Sequence, residues 1–449
     1  MTLSRALHAT YKPAPPSTRS APALDLPARF MTLALLGFLT AAGLAPFAWP
    51  LLLGSSANPH LLALVHINTV GIIAMMAVGA SYQLVPVVLQ QPIVSVRLGR
   101  ISFWFLLAGI LGFVPGLYTG RLPLLGAGAS LLLIGFAIYA AVILTTIWRA
   151  PHHDAIAWHL LLATTSLCAG VIFGVLLAFN EGTGFLGDLN YRLIATHFTL
   201  MIAGWIAVLL SGVAYRLAGM FSLSEQQLWW PAAWLELTLS TLGAWLLAAS
   251  FAFMLPNPVR VLAAGLILGG QLLVLGQLAH LYHSRRRKTF DIHIPFALTA
   301  STFGSAAAAL LLIGMIQQRS AGSAWWTLVI WLALAGFIET GIQGFFYKIS
   351  TFLVWLHRYA KQAGRQRVPK LEELFFHKLA VTGWLLWTTG VGLSMVAIGS
   401  GERLIAHIAG AIAALGIVCF LVNVVAIAGH GLSPRVIVFR LIGRAFARE

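Results

Sequence analysis

Residues 71–84 read GIIAMMAVGASYQL, residues 204–217 read GWIAVLLSGVAYRL and residues 336–349 read GFIETGIQGFFYKI. Aligned, they keep Gly71, Gly79 and Tyr82, then Gly204, Gly212 and Tyr215, then Gly336, Gly344 and Tyr347, with Leu or Ile two residues past each tyrosine. The copies start 133 and 132 residues apart, as expected of one structural unit used three times. Small residues at this spacing let neighbouring helix backbones approach closely in lipid, and a tyrosine one turn further on suits the headgroup level. On that reading the motif is a packing and anchoring device.

The rest of the chain says what the unit is. Of 449 residues, 59% are apolar and 9% are charged, far from the soluble balance of about 25% charged. Apolar stretches long enough to cross a bilayer fall near 30–53, 61–89, 98–119, 122–148, 155–179, 190–217, 228–253, 258–283, 292–316, 323–348, 374–399 and 403–429. The expectation is an all-α polytopic membrane protein of about twelve transmembrane helices. Four spans per repeat give three pseudo-symmetric arcs, near 30–148, 155–283 and 291–430 within a single membrane domain over 30–432. The motif then falls on spans two, six and ten, which all run in one direction.

If the N-terminus is cytoplasmic, all but Arg121, Arg192, Arg260, Arg319 and Arg403 of the 28 Lys and Arg residues lie on the cytoplasmic side. Both termini are therefore expected in the cytoplasm, with the bacterial inner membrane as location and the lipid bilayer as partner. The net charge of +16 reads as topology-setting and headgroup-facing, so a nucleic-acid partner is not expected. Residues 1–29 read as a disordered cytoplasmic tail, and 433–449, with Arg435, Arg440, Arg444 and Arg448 among apolar residues, as an amphipathic inner-leaflet tail. The stretch from Tyr347 to Tyr359 reads as an interfacial loop. Cys168 and Cys419 both fall within spans, which excludes a disulfide framework or a CxxCH haem attachment.

Polar residues inside the spans are the candidates for chemistry. His66 precedes Gly71 by five residues and His197 precedes Gly204 by seven, both in the outer part of their spans; the third copy has Val329 and Trp331 at those offsets. Twelve helices in three arcs, with histidines on the outer parts of spans two and six, resemble subunit I of the haem-copper oxidase and nitric oxide reductase superfamily. The resemblance implies that His66 is an axial ligand of a low-spin haem and that His197 ligates copper or another non-haem metal. It also implies a histidine pair near span seven, where residues 228–234 read LWWPAAW, and two haem ligands on span ten, which has none. The oxygen-reducing binuclear centre is therefore not expected, and copper is not an expected cofactor.

A haem b between His66 and His407 is the sharpest site expectation, with Arg403 and Arg121 toward its propionates. The alternative for each histidine is a plain hydrogen bond to a neighbouring helix. Glu339 and Gln343 on span ten and Glu236 on span seven lie deep in the membrane, where an acid must be neutral, paired or facing water; they mark a proton path or a packing contact. His159 and His293 belong to a set of cytoplasmic-side histidines that fall mostly in loops or at helix ends beside basic residues. The expected function is a haem-binding, oxidase-like membrane protein without oxygen reduction, active in electron transfer, nitric oxide or haem handling, or respiratory complex assembly. A redox role implies a partner protein or quinone, and an oligomer is left open. The alternatives are a proton-coupled secondary transporter and a cofactor-free assembly subunit.

Overall fold

A computed structural model describes residues 24–55, 57–286 and 291–431. Twelve helices are long and apolar enough to cross a membrane, and no strand occurs among the described residues. We number them α1 (Asp25–Leu53), α2 (Pro59–Leu89), α3 (Val96–Thr119), α4 (Leu122–Trp148), α5 (Ala155–Thr183), α6 (Leu189–Ser222), α7 (Trp230–Ala252), α8 (Asn257–His283), α9 (His293–Ile316), α10 (Ala324–Arg358), α11 (His377–Ser400) and α12 (Arg403–Gly431). An even number of crossings returns the chain to the side where it starts. We call that face, which carries most of the Lys and Arg, the basic side.

The three motif helices are the inner ones. In α10, 83% of the most apolar stretch is buried, against 61% in α2, 50% in α6 and in α4, and 39–44% in the other helices. Outer helices pack as neighbours around them, and α12 closes against α1. Lipid gives helices no hydrophobic drive to associate, so close backbone contact carries the packing. Gly128 on α4 sits against the backbone of Phe113 on α3, Gly416 on α12 against Trp387 on α11, and Gly410 on α12 against the Ala45 carbonyl of α1.

Each inner helix contains an eight-residue π-helical stretch, Ile67–Ala74, Leu200–Ala207 and Leu332–Glu339, with the first motif glycine as its fifth residue in every case. The third stretch touches both of the others. A π stretch inserts a residue into the helical ladder and is a frequent mark of functional sites.

Two boundaries correct the sequence reading. The first helix begins at Asp25, so residues 25–29 of the expected tail are helical; Asp25 accepts hydrogen bonds from Arg100 Nε at 3.0 Å and Nη2 at 3.2 Å, tying α1 to α3. Residues 1–23 and the expected amphipathic tail at 433–449 lie outside the described residues. The stretch after Tyr347 is not a loop, because α10 continues through Arg358. It contains no Gly or Pro to stop it, and His357 and Arg358 fall in the last turn, where positive charge suits the helix dipole.

Candidate functional site

The second motif glycine makes room for a side chain of the first helix in its own arc. A β-carbon on Gly79 would stand 3.1 Å from Phe30 Cβ, one on Gly212 would stand 2.6 Å from His159 Cβ, and one on Gly344 would collide with Phe296 Cβ. The ring so admitted then meets the motif tyrosine. Phe30 and Tyr82 have centroids 5.5 Å apart, His159 and Tyr215 5.9 Å, and Phe296 and Tyr347 6.1 Å. Seven residues on, Gly37, Ser166 and Phe303 face Gly71, Gly204 and Gly336. The glycines and tyrosine of the motif are thus one ring-packing device, made three times.

The halves of the inner helices that precede the glycines differ from copy to copy. His66 of α2 is half-buried, with Nδ1 2.7 Å from the Leu62 carbonyl and its ring edge-on to Phe113 of α3. His197 of α6 is half-buried, with Nδ1 2.8 Å from the Gly170 carbonyl of α5. A carbonyl can only accept, so both rings carry their proton on Nδ1 and leave the lone pair on Nε2. Neither Nε2 has a hydrogen-bond partner among the described residues. The two imidazoles are near enough to interact electrostatically. Gly71 is buried, yet a β-carbon there would meet nothing within 4 Å, so open space lies beside α2 one turn below His66. A fixed Nδ1–H and a free Nε2 are what a haem or metal ligand requires, and these residues fit such a group.

The corresponding place in the third arc is filled. Trp331 is at the register of His66, 3% exposed, donating Nε1–H to Ser394 Oγ at 2.9 Å and standing edge-on to Trp49. His407 is exposed, and its Nδ1 lies 2.8 Å from the Pro46 carbonyl of α1. That carbonyl lacks its usual helical donor because residue 50 is also proline and has no N–H. His407 therefore completes the kinked end of α1. Arg121 and Arg403 are exposed at the starts of α4 and α12.

Glu339 ends the third π stretch, where the other two copies have Ala74 and Ala207. It is 2% exposed and Gln343, one turn on, is 0% exposed. Glu339 Oε1 and both Gln343 amide atoms are buried with no hydrogen-bond partner among the described residues. Unsatisfied buried polar atoms are costly and rare, and three on one face of a helix mark a place for water or a polar ligand.

Glu236 is paired. Its Oε2 lies 2.7 Å from His159 Nε2 and its Oε1 accepts from Ser240 Oγ at 2.8 Å; both Glu236 and His159 are 0% exposed. His159, although near a helix end, is thus a core residue, because the Gly212 gap admits it. Its signal in the sequence lies in the alignment of the first helices of the arcs, where Phe30, His159 and Phe296 correspond, but unequal connections displace them by 129 and 137 residues.

His293 is buried for a different reason: it and Lys348 of α10 both pair with Asp291, with His293 Nδ1 2.9 Å from Asp291 Oδ1. Burial pushes the Asp291 carboxyl up, but the His293 contact and the Lys348 charge outweigh it and hold the group below the usual carboxylate range.

No protein-family model matches this sequence, and no curated protein matches it. In structure the chain is similar to a haem-copper terminal oxidase solved as a dimer by electron cryomicroscopy. The TM-score is 0.66 at 13% sequence identity, over 92% of this chain and 83% of that chain. With the inner helices, the three arcs and the closure of α12 on α1 already in place, the likeness is one of architecture: this chain has the membrane fold of a haem-copper terminal oxidase.

Proposed function

We propose that this protein is a haem-binding, electron-transferring member of the oxidase fold in which His66 and His197 supply the ligands and oxygen reduction is absent. One observation carries the reading: two imidazoles in one interior region, each held by Nδ1–H on a backbone carbonyl and each with Nε2 free. Bound haem supplies one-electron redox chemistry at its iron. The chain does the rest. The Leu62 and Gly170 carbonyls fix the tautomers, Phe113 packs edge-on to His66, and Gly71 leaves open space for at least a β-carbon beside α2. Trp331 and Val329 occupy the places where a third set of ligands would be needed, which supports electron transfer over oxygen chemistry. Electrons would come from a redox partner protein or a quinone.

The test is the pyridine haemochrome spectrum and metal content of the full-length protein purified from haem-replete cells. A b-type spectrum that disappears in His66→Ala and changes spin state in His197→Ala is expected. A colourless wild-type protein overturns the reading.

The unpartnered Glu339 and Gln343 favour a second reading, proton-coupled transport through the region around α10. It predicts solute uptake in proteoliposomes that follows the proton gradient and stops in Glu339→Gln.

A further inference from the structure

The buried pair on the second arc stands where packing does not ask for it. Phe30 and Phe296 fill the same slot over the motif glycine and against the motif tyrosine in the other two arcs. Phenylalanine therefore meets the structural need. The second arc instead places an imidazole there and sets a carboxylate against it, although taking both out of water carries a desolvation penalty that an apolar pair avoids.

The hydrogen bonds define how many protons the pair holds. His159 Nδ1 is 2.6 Å from the Ala155 carbonyl, which only accepts, so Nδ1 bears hydrogen. One further proton lies between Nε2 and Glu236 Oε2 across 2.7 Å, on either atom. The hydroxyl of Ser240 donates to the other carboxylate oxygen. Tyr215 supplies a second, independent sign. It is 1% exposed, and its hydroxyl approaches the Glu236 carboxylate without reaching full hydrogen-bond geometry. The equivalent hydroxyls are partnered, Tyr82 with Ser102 at 3.2 Å and Tyr347 with Asn423 at 3.2 Å.

We propose that His159, Glu236 and Tyr215 form a proton-exchange site in the basic-side half of the second arc. Within the pair, the Nε2–H bond breaks as the Oε2–H bond forms, turning imidazolium and carboxylate into imidazole and carboxylic acid with no change in net charge. Discharge transfers that proton to water as hydronium and leaves neutral imidazole beside carboxylate; recharging reverses it. The Tyr215 hydroxyl, already beside the carboxylate, offers Glu236 a hydrogen bond in the discharged state. The groups facing the site are Tyr215 of α6 and Ser240 of α7; Gly270 of α8 lies against Ser240, and the buried Arg216 of α6 lines a neighbouring slot with Ile156 and Leu160. The site involves neither His66 nor His197, so it stands or falls apart from the haem reading.

Infrared difference spectroscopy of the full-length protein in lipid nanodiscs, titrated in pH, tests it. In the wild type, carboxyl and imidazole bands should change together at one midpoint. Glu236→Gln should remove the carboxyl band, and Tyr215→Phe should move the midpoint by about one pH unit. The double variant His159→Phe/Glu236→Leu recreates the packing of the other arcs and should lose both bands while keeping its fold. Bands that stay constant with pH, or that titrate independently and ignore Tyr215→Phe, overturn the proposal in favour of a fixed packing pair. So does a double variant that retains both bands.

Discussion

The two halves of each inner helix obey different rules. On the basic side, α2, α6 and α10 repeat one arrangement, a glycine gap, a ring from the neighbouring helix and a tyrosine against it. Before the π stretches the side chains do not repeat: His66, Thr199 and Trp331 share a register, and only the first has a free imidazole nitrogen. The difference teaches that the threefold scaffold is a means of assembly, whereas chemistry sits where the copies have diverged. The same holds within the repeated half, where His159 with Glu236 departs from the symmetry.

Breaking the repeated half should cost most. Gly344→Leu forces a side chain into Phe296, and overpacking of this kind costs about 3 kcal/mol. Gly71→Ala, whose β-carbon meets open space, should stay within about 0.5 kcal/mol of wild type, and thermal unfolding followed by size exclusion separates the two. Equal tolerance of both would mean that the glycine gap is not what fixes the arcs.

Removing a charge from the network below α10 comes next. Asp291→Asn leaves Lys348 without its carboxylate and should lower stability by about 3 kcal/mol. Because the folded state holds the Asp291 carboxyl below its unfolded value, the wild-type advantage is full above the usual carboxylate range, near pH 4, and declines as pH falls below it. A difference between the two proteins that stays constant through acid unfolding would show that the pair contributes no proton linkage.

Glu339→Ala, which supplies the residue found in the other copies, should raise stability by about 1–2 kcal/mol by removing an unsatisfied buried group. A loss instead would reveal a bound partner at that carboxylate. The smallest effect belongs to His407→Ala, which forfeits one exposed hydrogen bond to the Pro46 carbonyl, worth about 1 kcal/mol, and should leave any haem spectrum intact. Loss of that spectrum would show that His407 is a ligand.

Much of the fold was legible because it follows from one-dimensional signals. Span lengths, the paired glycines and the tyrosines recur at a nearly constant interval, and lipid dictates helices. His66 and His197 stood out for a related reason, since few imidazoles occur in such apolar company. What stayed hidden depends on partners from other helices. His159 sits near the start of α5 and looks solvated until Gly212 of α6 and Glu236 of α7 close over it. The hydrogen bond of His407 stayed hidden in the same way, because the carbonyl it meets, left without a donor, belongs to prolines on α1. The extension of α10 past Tyr347 was obscured by aromatic and basic residues that suit an interface and a helix end equally.

The π stretches carry a further consequence. Each one lies at the boundary between the half of an inner helix that is conserved across the copies and the half that is not, with a motif glycine in its interior. Such a stretch acts as a rotary joint in the backbone, letting the azimuth of residues before it be set independently of those after it. A side chain such as His66, Thr199 or Trp331 can then be exchanged, and its neighbours re-aimed, without turning the tyrosine end out of its socket. Deleting one residue inside Leu200–Ala207 would lock the joint and couple the orientation of His197 to that of Tyr215.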